Sequence, residues 1–140
     1  VAGLVAITPA SGFVGPISSI IIGIGAGVFC YFAVILKGKL GYDDALDAFG
    51  VHGIGGTWGA IATGLFANPA INSAGTGLFF GNPGQLFRQI VAVAATWILA
   101  LVGTFIILKV VDIMMGLRVS DEEERTGIDL TQHNESAYTL

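Results

Sequence analysis

The residue best suited to chemistry in this sequence is His52, which stands in an otherwise uncharged apolar run over residues 48–67. A neutral imidazole offers one acceptor nitrogen and one donor, and it titrates near neutrality. In a soluble helix a lone histidine is most often an ordinary core or surface residue. In a bilayer the default reverses, because an ionisable side chain there faces a cavity or a partner and marks a pathway. Two acids, Asp44 and Asp47, precede it. On a helix running through from 44, they fall about 80° and 140° around from His52, so a direct Asp–His dyad is not expected. Asp44 reads as a helix cap and Asp47 as a first-turn partner of the helix dipole; either carboxylate could tie down backbone groups without touching substrate. Gly50, Gly53, Gly55, Gly56 and Gly59 crowd the same segment. They read as a packing seam, with Gly55-x3-Gly59 and Ala60-x3-Gly64 as small-x3-small pairs, able to hold an imidazole in one rotamer inside a narrow passage.

Other chemistries find no support. Cys30 is the single cysteine, so neither a disulfide within the chain nor a cysteine metal site can form. No nucleophile–histidine–acid set and no HExxH motif is present, so no enzyme, cofactor or metal is expected. There is no basic stripe to hold nucleic acid.

The elements that position His52 follow from composition. Only 11% of residues are charged, against about 25% in an ordinary soluble domain. Twenty-one glycines accompany 54% hydrophobic residues, a mixture suited to closely packed membrane helices. Three stretches, near 17–36, 48–67 and 90–108, approach the roughly 20 residues that cross a hydrocarbon core. With flanking helical residues the spans are expected near 16–37, 44–67 and 86–115. Residues 1–7 read as the end of a further span, and the chain as a piece of something longer. Soluble helices carry an apolar stripe rather than an apolar circumference, so the class is all-α integral membrane. Trp58 and Trp97, inside spans rather than at their ends, read as interhelical packing.

The connections agree. Pro16 can open a helix where its missing N–H costs little, 37–44 is a short polar hairpin, and 68–85 is a loop rich in Gly, Asn and Pro. Lys37, Lys39, Lys109, Arg118 and Arg125 fall on one side of alternating spans and Arg88 alone on the other. The positive-inside rule then puts the C-terminus in the cytoplasm. The organisation expected is a partial transmembrane domain, 1–116, and a cytoplasmic tail, 117–140. In the tail, Ser120-x-x-Glu123 is a capping-box pattern that predicts one helical turn over 121–125, ended at Gly127; the remainder reads as polar with few apolar anchors.

The run Asp43-Asp44-Ala45-Leu46-Asp47-Ala48-Phe49-Gly50-Val51-His52-Gly53-Ile54-Gly55-Gly56 resembles the DD-x-x-D-x-FGVHG-x-x-G signature of the ammonium transporter (Amt/Mep/Rh) family. Ala6-Ile7-Thr8-Pro9-Ala10 is a second match, and Gly116-Leu117-Arg118-Val119-Ser120 a third, continuing through Glu123-Glu124-Arg125, Gly127, Asp129 and Tyr138. The tail looks like that of the bacterial or archaeal Amt branch. The resemblance implies eleven transmembrane helices per subunit, two five-helix inverted repeats plus a final long helix, assembled as a homotrimer in the cell (inner) membrane with one pore per subunit. This chain would supply about the last three to four helices and the tail. His52 then matches the second histidine of the pore pair, and Asp44 the acid that mirrors the conserved acid of the first repeat. Gly116, Leu117, Arg118, Glu123, Arg125 and Tyr138 would belong to a regulatory tail. The implied partners are ammonium or ammonia, membrane lipid, and a PII-type (GlnK-like) signalling protein that blocks the cytoplasmic exit.

A histidine suits that task. Ammonium and potassium are alike in size and charge, but ammonium donates hydrogen bonds and can lose a proton. A bare cation in a dry passage faces a desolvation cost of several kcal/mol even after relaxation; ammonia does not. The expected route is that ammonium releases its proton at the vestibule, ammonia passes an uncharged His52, and the proton is returned or travels separately. The rival expectation is a non-conducting membrane fragment that acts only in helix packing and assembly.

Overall fold

The computed structural model describes residues 1–136, and Tyr138 of the expected regulatory tail lies outside them. Every regular element among the described residues is helical. Contacts divide the chain into two compact units, Val1–Trp97 and Ile98–Leu140.

In the first unit, α1 (Ala2–Ile7) runs into a 3-10 turn at Thr8–Ala10. Helix α2, Pro16–Leu40, starts with the proline at its first position. It outlasts the expected 16–37 by three residues, so Lys37 and Lys39 occupy its last turn, where positive charge favours the helix dipole. Gly41, in the left-handed region at φ 69°, stops it and donates to the Lys37 carbonyl at 2.9 Å. This is the C-cap for which glycine is the usual residue.

The next helix departs from expectation. Residues 44–47 are not helical. Ala48 opens a π-helical segment, Phe49–Ile54, which passes into α3, Gly55–Phe66. Asp47 sits in the left-handed region at φ 55°, a conformation that costs a non-glycine residue about 1–2 kcal/mol and that Asp tolerates better than most. Asp47 is therefore a turn residue rather than a first-turn dipole partner. The angular placement of Asp44 and Asp47 about a common axis with His52 fails for the same reason.

Helix α4, Pro83–Met115, starts three residues earlier than expected and is 33 residues long, about 50 Å at 1.5 Å per residue. Helices α2 and α4 are long and apolar enough to cross a membrane by length and composition.

The core of the first unit is built mainly from alanine. Ala6, Ala10, Ile22, Ala26 and Ala62 are fully buried, and glycines let the backbones around them approach. A Cβ added to Gly59 would collide with the Ala6 carbonyl group, its carbon at 2.8 Å and the Ala6 Cα at 2.9 Å. The Trp58 indole fills the notch left by Gly25, where a Cβ would lie 2.6 Å from the ring. Its Nε1 donates to the Ile22 carbonyl at 2.9 Å, and its ring tilts against Phe29 with centroids 5.0 Å apart. Trp97 donates to Thr57 Oγ1 at 2.9 Å. Both tryptophans are thus packed between helices, as their interior positions predict. Around this small core, Ile17, Ile20, Ile24, Phe29 and Phe32 of α2 remain exposed.

The second unit contains the rest of α4 and two short helices, α5 (Asp121–Thr126) and α6 (Ile128–His133). Gly116, at φ 80°, terminates α4. The capping box is formed: Ser120 Oγ accepts from Glu123 N–H at 3.3 Å, and Glu123 Oε2 accepts from Ser120 N–H at 3.0 Å. Gly127 follows α5 as expected, but α6 is additional. Its polar sequence offers no apolar stripe to announce it.

Candidate functional site

His52 lies in the middle of the π-helical segment, with an exposed side chain. Segments of this kind are rare and often mark functional positions. The ring borders an open recess of about 360 Å³ whose other walls are Leu4, Val5, Thr8 and Pro9. All four come from α1 and the 3-10 turn after it, so the apolar match before the first long span and the histidine motif meet at one place. The Thr8 hydroxyl donates to the Leu4 carbonyl at 2.7 Å, which leaves the wall short of free donors. The burial expected for the ring is not supplied by this chain alone.

The backbone carrying His52 is anchored at both ends. Downstream, Gly55 is buried against Cys30 and Val5; a Cβ there would lie 3.1 Å from the Cys30 sulfur and 3.6 Å from Val5 Cγ1. Cys30 Sγ also donates weakly to the Val51 carbonyl at 3.8 Å. Gly59 then makes the close approach to Ala6. Gly56 does not share in this seam, because a Cβ there meets nothing within 4 Å: at one residue past Gly55 it points to another side of the helix. Gly53 is covered by its own helix, with the Phe49 ring 3.2 Å from an added Cβ. That ring stands edge-on between Tyr42 and Trp97, at centroid distances of 6.0 and 5.7 Å.

Upstream, Asp44 Oδ1 accepts from Ala48 N–H at 2.8 Å and Oδ2 from Phe49 N–H at 3.0 Å. This one carboxylate satisfies two of the orphan donors that every helix start presents. Asp47 offers its carbonyl to Val51 N–H at 2.9 Å, and its carboxylate is paired with Lys37. The Lys37 ammonium also donates to the Asp44 carbonyl at 2.7 Å. By sequence alone Lys37 is a charge of the polar hairpin that bears on orientation. The signal available was its place across a short hairpin from three acids. Asp44 and Asp47 act on the backbone that bears the imidazole rather than on the ring itself.

In the second unit, Arg118 makes a two-pronged pair with Glu124, Nε to Oε2 at 2.9 Å and Nη2 to Oε1 at 2.7 Å. That hydrogen bond holds the Glu124 carboxyl below its ordinary range. Bonds from the Ser120 hydroxyl and backbone, and then from Gln132, do the same for Glu123. The Gln132 bond, at 2.8 Å, ties α6 to α5. Leu117 and Arg125 are exposed. Sequence reasoning gave Glu124 a place in the motif but no partner.

Residues 1–138 match the profile described as the Ammonium Transporter Family. The chain is 59% identical to an ammonium transporter of Bacillus subtilis over 99% of its own length and 35% of that protein. It is 51% identical to the ammonium transporter Amt1 of Archaeoglobus fulgidus with the same coverage. The crystal structure of Saccharomyces cerevisiae Mep2 superposes with a TM-score of 0.80 at 34% identity, over 86% of this chain and 29% of that one; Candida albicans Mep2 gives 0.78 at 37%. The chain therefore spans about a third of the length of the curated relatives it matches. A profile match across nearly all its residues, together with a shared helical fold, makes it a member of the ammonium transporter family.

Proposed function

We propose that this chain is the C-terminal part of an ammonium transporter subunit and that His52 stands on the path taken by ammonia. The observation that carries the reading is the place of the imidazole. It is an ionisable group in an apolar segment, set on a π-helical segment with its backbone fixed at both ends, beside a recess whose other walls are mainly apolar. Such a group can accept a hydrogen bond from ammonia or ammonium while the apolar wall penalises a desolvated cation. Ammonium would give up its proton before this point, with neutral ammonia passing the ring. Segment 1–116 would be membrane-embedded and 117–140 a cytoplasmic tail in the cell membrane, a reading supported by five of the six Lys and Arg residues falling on that side.

The complete subunit would act in a homotrimer. The tail, with Arg118 and Glu124 paired and Glu123 in a capping box, would be the surface read by a PII-type partner. The test is flux in the full-length transporter that carries this segment. His52→Ala should abolish ammonium-selective transport, and selective uptake at the unmodified rate would defeat the assignment.

A second reading has one observation in its favour. The contacts that define this chain best, Gly59 on Ala6 and Trp58 in the Gly25 notch, are pure packing. On that reading the segment contributes helices to an assembly and conducts nothing by itself; ammonium flux through the isolated chain would refute it.

A further inference from the structure

We propose that Lys37 is a positioning residue for His52: by bridging the Asp44 carbonyl and the Asp47 carboxylate, its ammonium fixes where the π-helical segment begins and so which way the imidazole points. The inference rests on the reading of His52 as a pathway residue.

The bonds that open this helix converge on two residues. Ala48 and Phe49 donate to the Asp44 side chain, and Val51 donates to the Asp47 carbonyl. Lys37 touches both acids from a different helix, the last turn of α2. Asp47 holds a left-handed conformation that costs a non-glycine residue something, though Asp less than most, and the Lys37 ammonium adds a hold from outside the turn. An ammonium suits the task, since its three donors can serve a carbonyl and a carboxylate together. The Lys37 side chain is 22% exposed and that of Asp47 36%, so solvent screens the bridge only in part. The consequence for His52 is geometric. A slip of one residue at the helix start turns each following side chain by roughly 100°. That is enough to carry the ring away from Leu4, Val5, Thr8 and Pro9.

The test measures ammonium and potassium flux per inserted molecule in vesicles reconstituted with the full-length transporter. The variants are Lys37→Met, Lys37→Arg and His52→Ala. Lys37→Met should lower the ammonium-to-potassium flux ratio at least tenfold, whereas Lys37→Arg, which keeps a cation in place, should stay within threefold of the unmodified protein. A purely structural role would reduce the amount inserted and leave the ratio alone, and that outcome overturns the proposal. If Lys37→Met does not insert, Asp47→Gly keeps the left-handed turn and removes the carboxylate. It should lower the ratio at least threefold, and an unchanged ratio is again fatal. A ratio that collapses with His52→Ala but not with the Lys37 or Asp47 variants refutes Lys37 alone. A ratio indifferent to His52→Ala refutes the pathway reading beneath it.

Discussion

Gly59→Ala places a methyl group where α1 and α3 leave no room, and its cost can be estimated from the contacts. The added Cβ would lie 2.8 Å from the Ala6 carbonyl carbon and 2.9 Å from its Cα. Ordinary carbon contacts settle near 3.5–4.0 Å. The obstacle is backbone, which cannot rotate aside as a side chain can, and the Ala6 carbonyl oxygen lies nearer still, so the helices must part by about 1 Å. A gap of that size forfeits about a quarter to a half of each dispersion contact along the seam. Overpacking of this kind costs about 1–3 kcal/mol, and the rigid obstacle argues for the upper end. Against it stands a gain of about 1 kcal/mol from replacing glycine by alanine within a helix. The net expectation is a loss of about 2 kcal/mol, nearly thirtyfold in the folding equilibrium. Gly56→Ala is the matched control: it carries the same propensity gain, and its methyl would meet nothing beyond its own helix within 4 Å in this chain. Thermal unfolding of both variants in the full-length transporter in detergent should put Gly59→Ala clearly below Gly56→Ala. Equal stability of the two would refute the claim that α1 and α3 meet backbone to backbone at this point.

Asp44→Ala removes the acceptor for two helix-opening N–H groups and should destabilise the same protein by about 1–2 kcal/mol, read by the same unfolding assay; an unchanged midpoint would argue against the cap. The tail should respond to acid. Glu123 and Glu124 are held below the ordinary carboxyl value by bonds to their charged forms. The stabilisation is therefore complete above the ordinary glutamate value of about 4.3 and disappears as pH falls through the lower folded values. Amide-exchange protection over 121–133 should hold from pH 7 to 5 and be lost only in stronger acid. Loss between pH 7 and 5 would contradict the sign.

The sequence made the helices legible because an apolar circumference in lipid leaves few alternatives. It singled out His52 as the one titratable side chain within the apolar run 48–67, and the recess beside that ring became visible only in the structure. Details that depend on a neighbour were not legible. Gly56 and Gly59 look alike in the chain, yet only Gly59 faces α1. The π-helical segment has no apolar pattern that spacing would reveal, and its opening N–H groups bond to Asp44 and Asp47, outside the segment itself. Helix α6 is short and polar, and it is tied to α5 by a Gln132–Glu123 bond, so no pattern of apolar residues could announce it. By sequence Lys37 is a membrane-side charge, and its contacts with Asp44 and Asp47 depend on a turn conformation that spacing does not encode.

Two helices that touch through smooth small-residue faces are free to slip past one another or to roll. The Trp58 indole removes both freedoms at once for α2 and α3: its outline seats only where residue 25 is glycine, and its N–H reaches only the carbonyl three residues before that glycine. Positions 25 and 58 are thereby a lock and its key, and a larger residue at 25 would demand a smaller one at 58. Were the chain cleaved in the turn joining these helices, the halves would have a single alignment in which to find each other again.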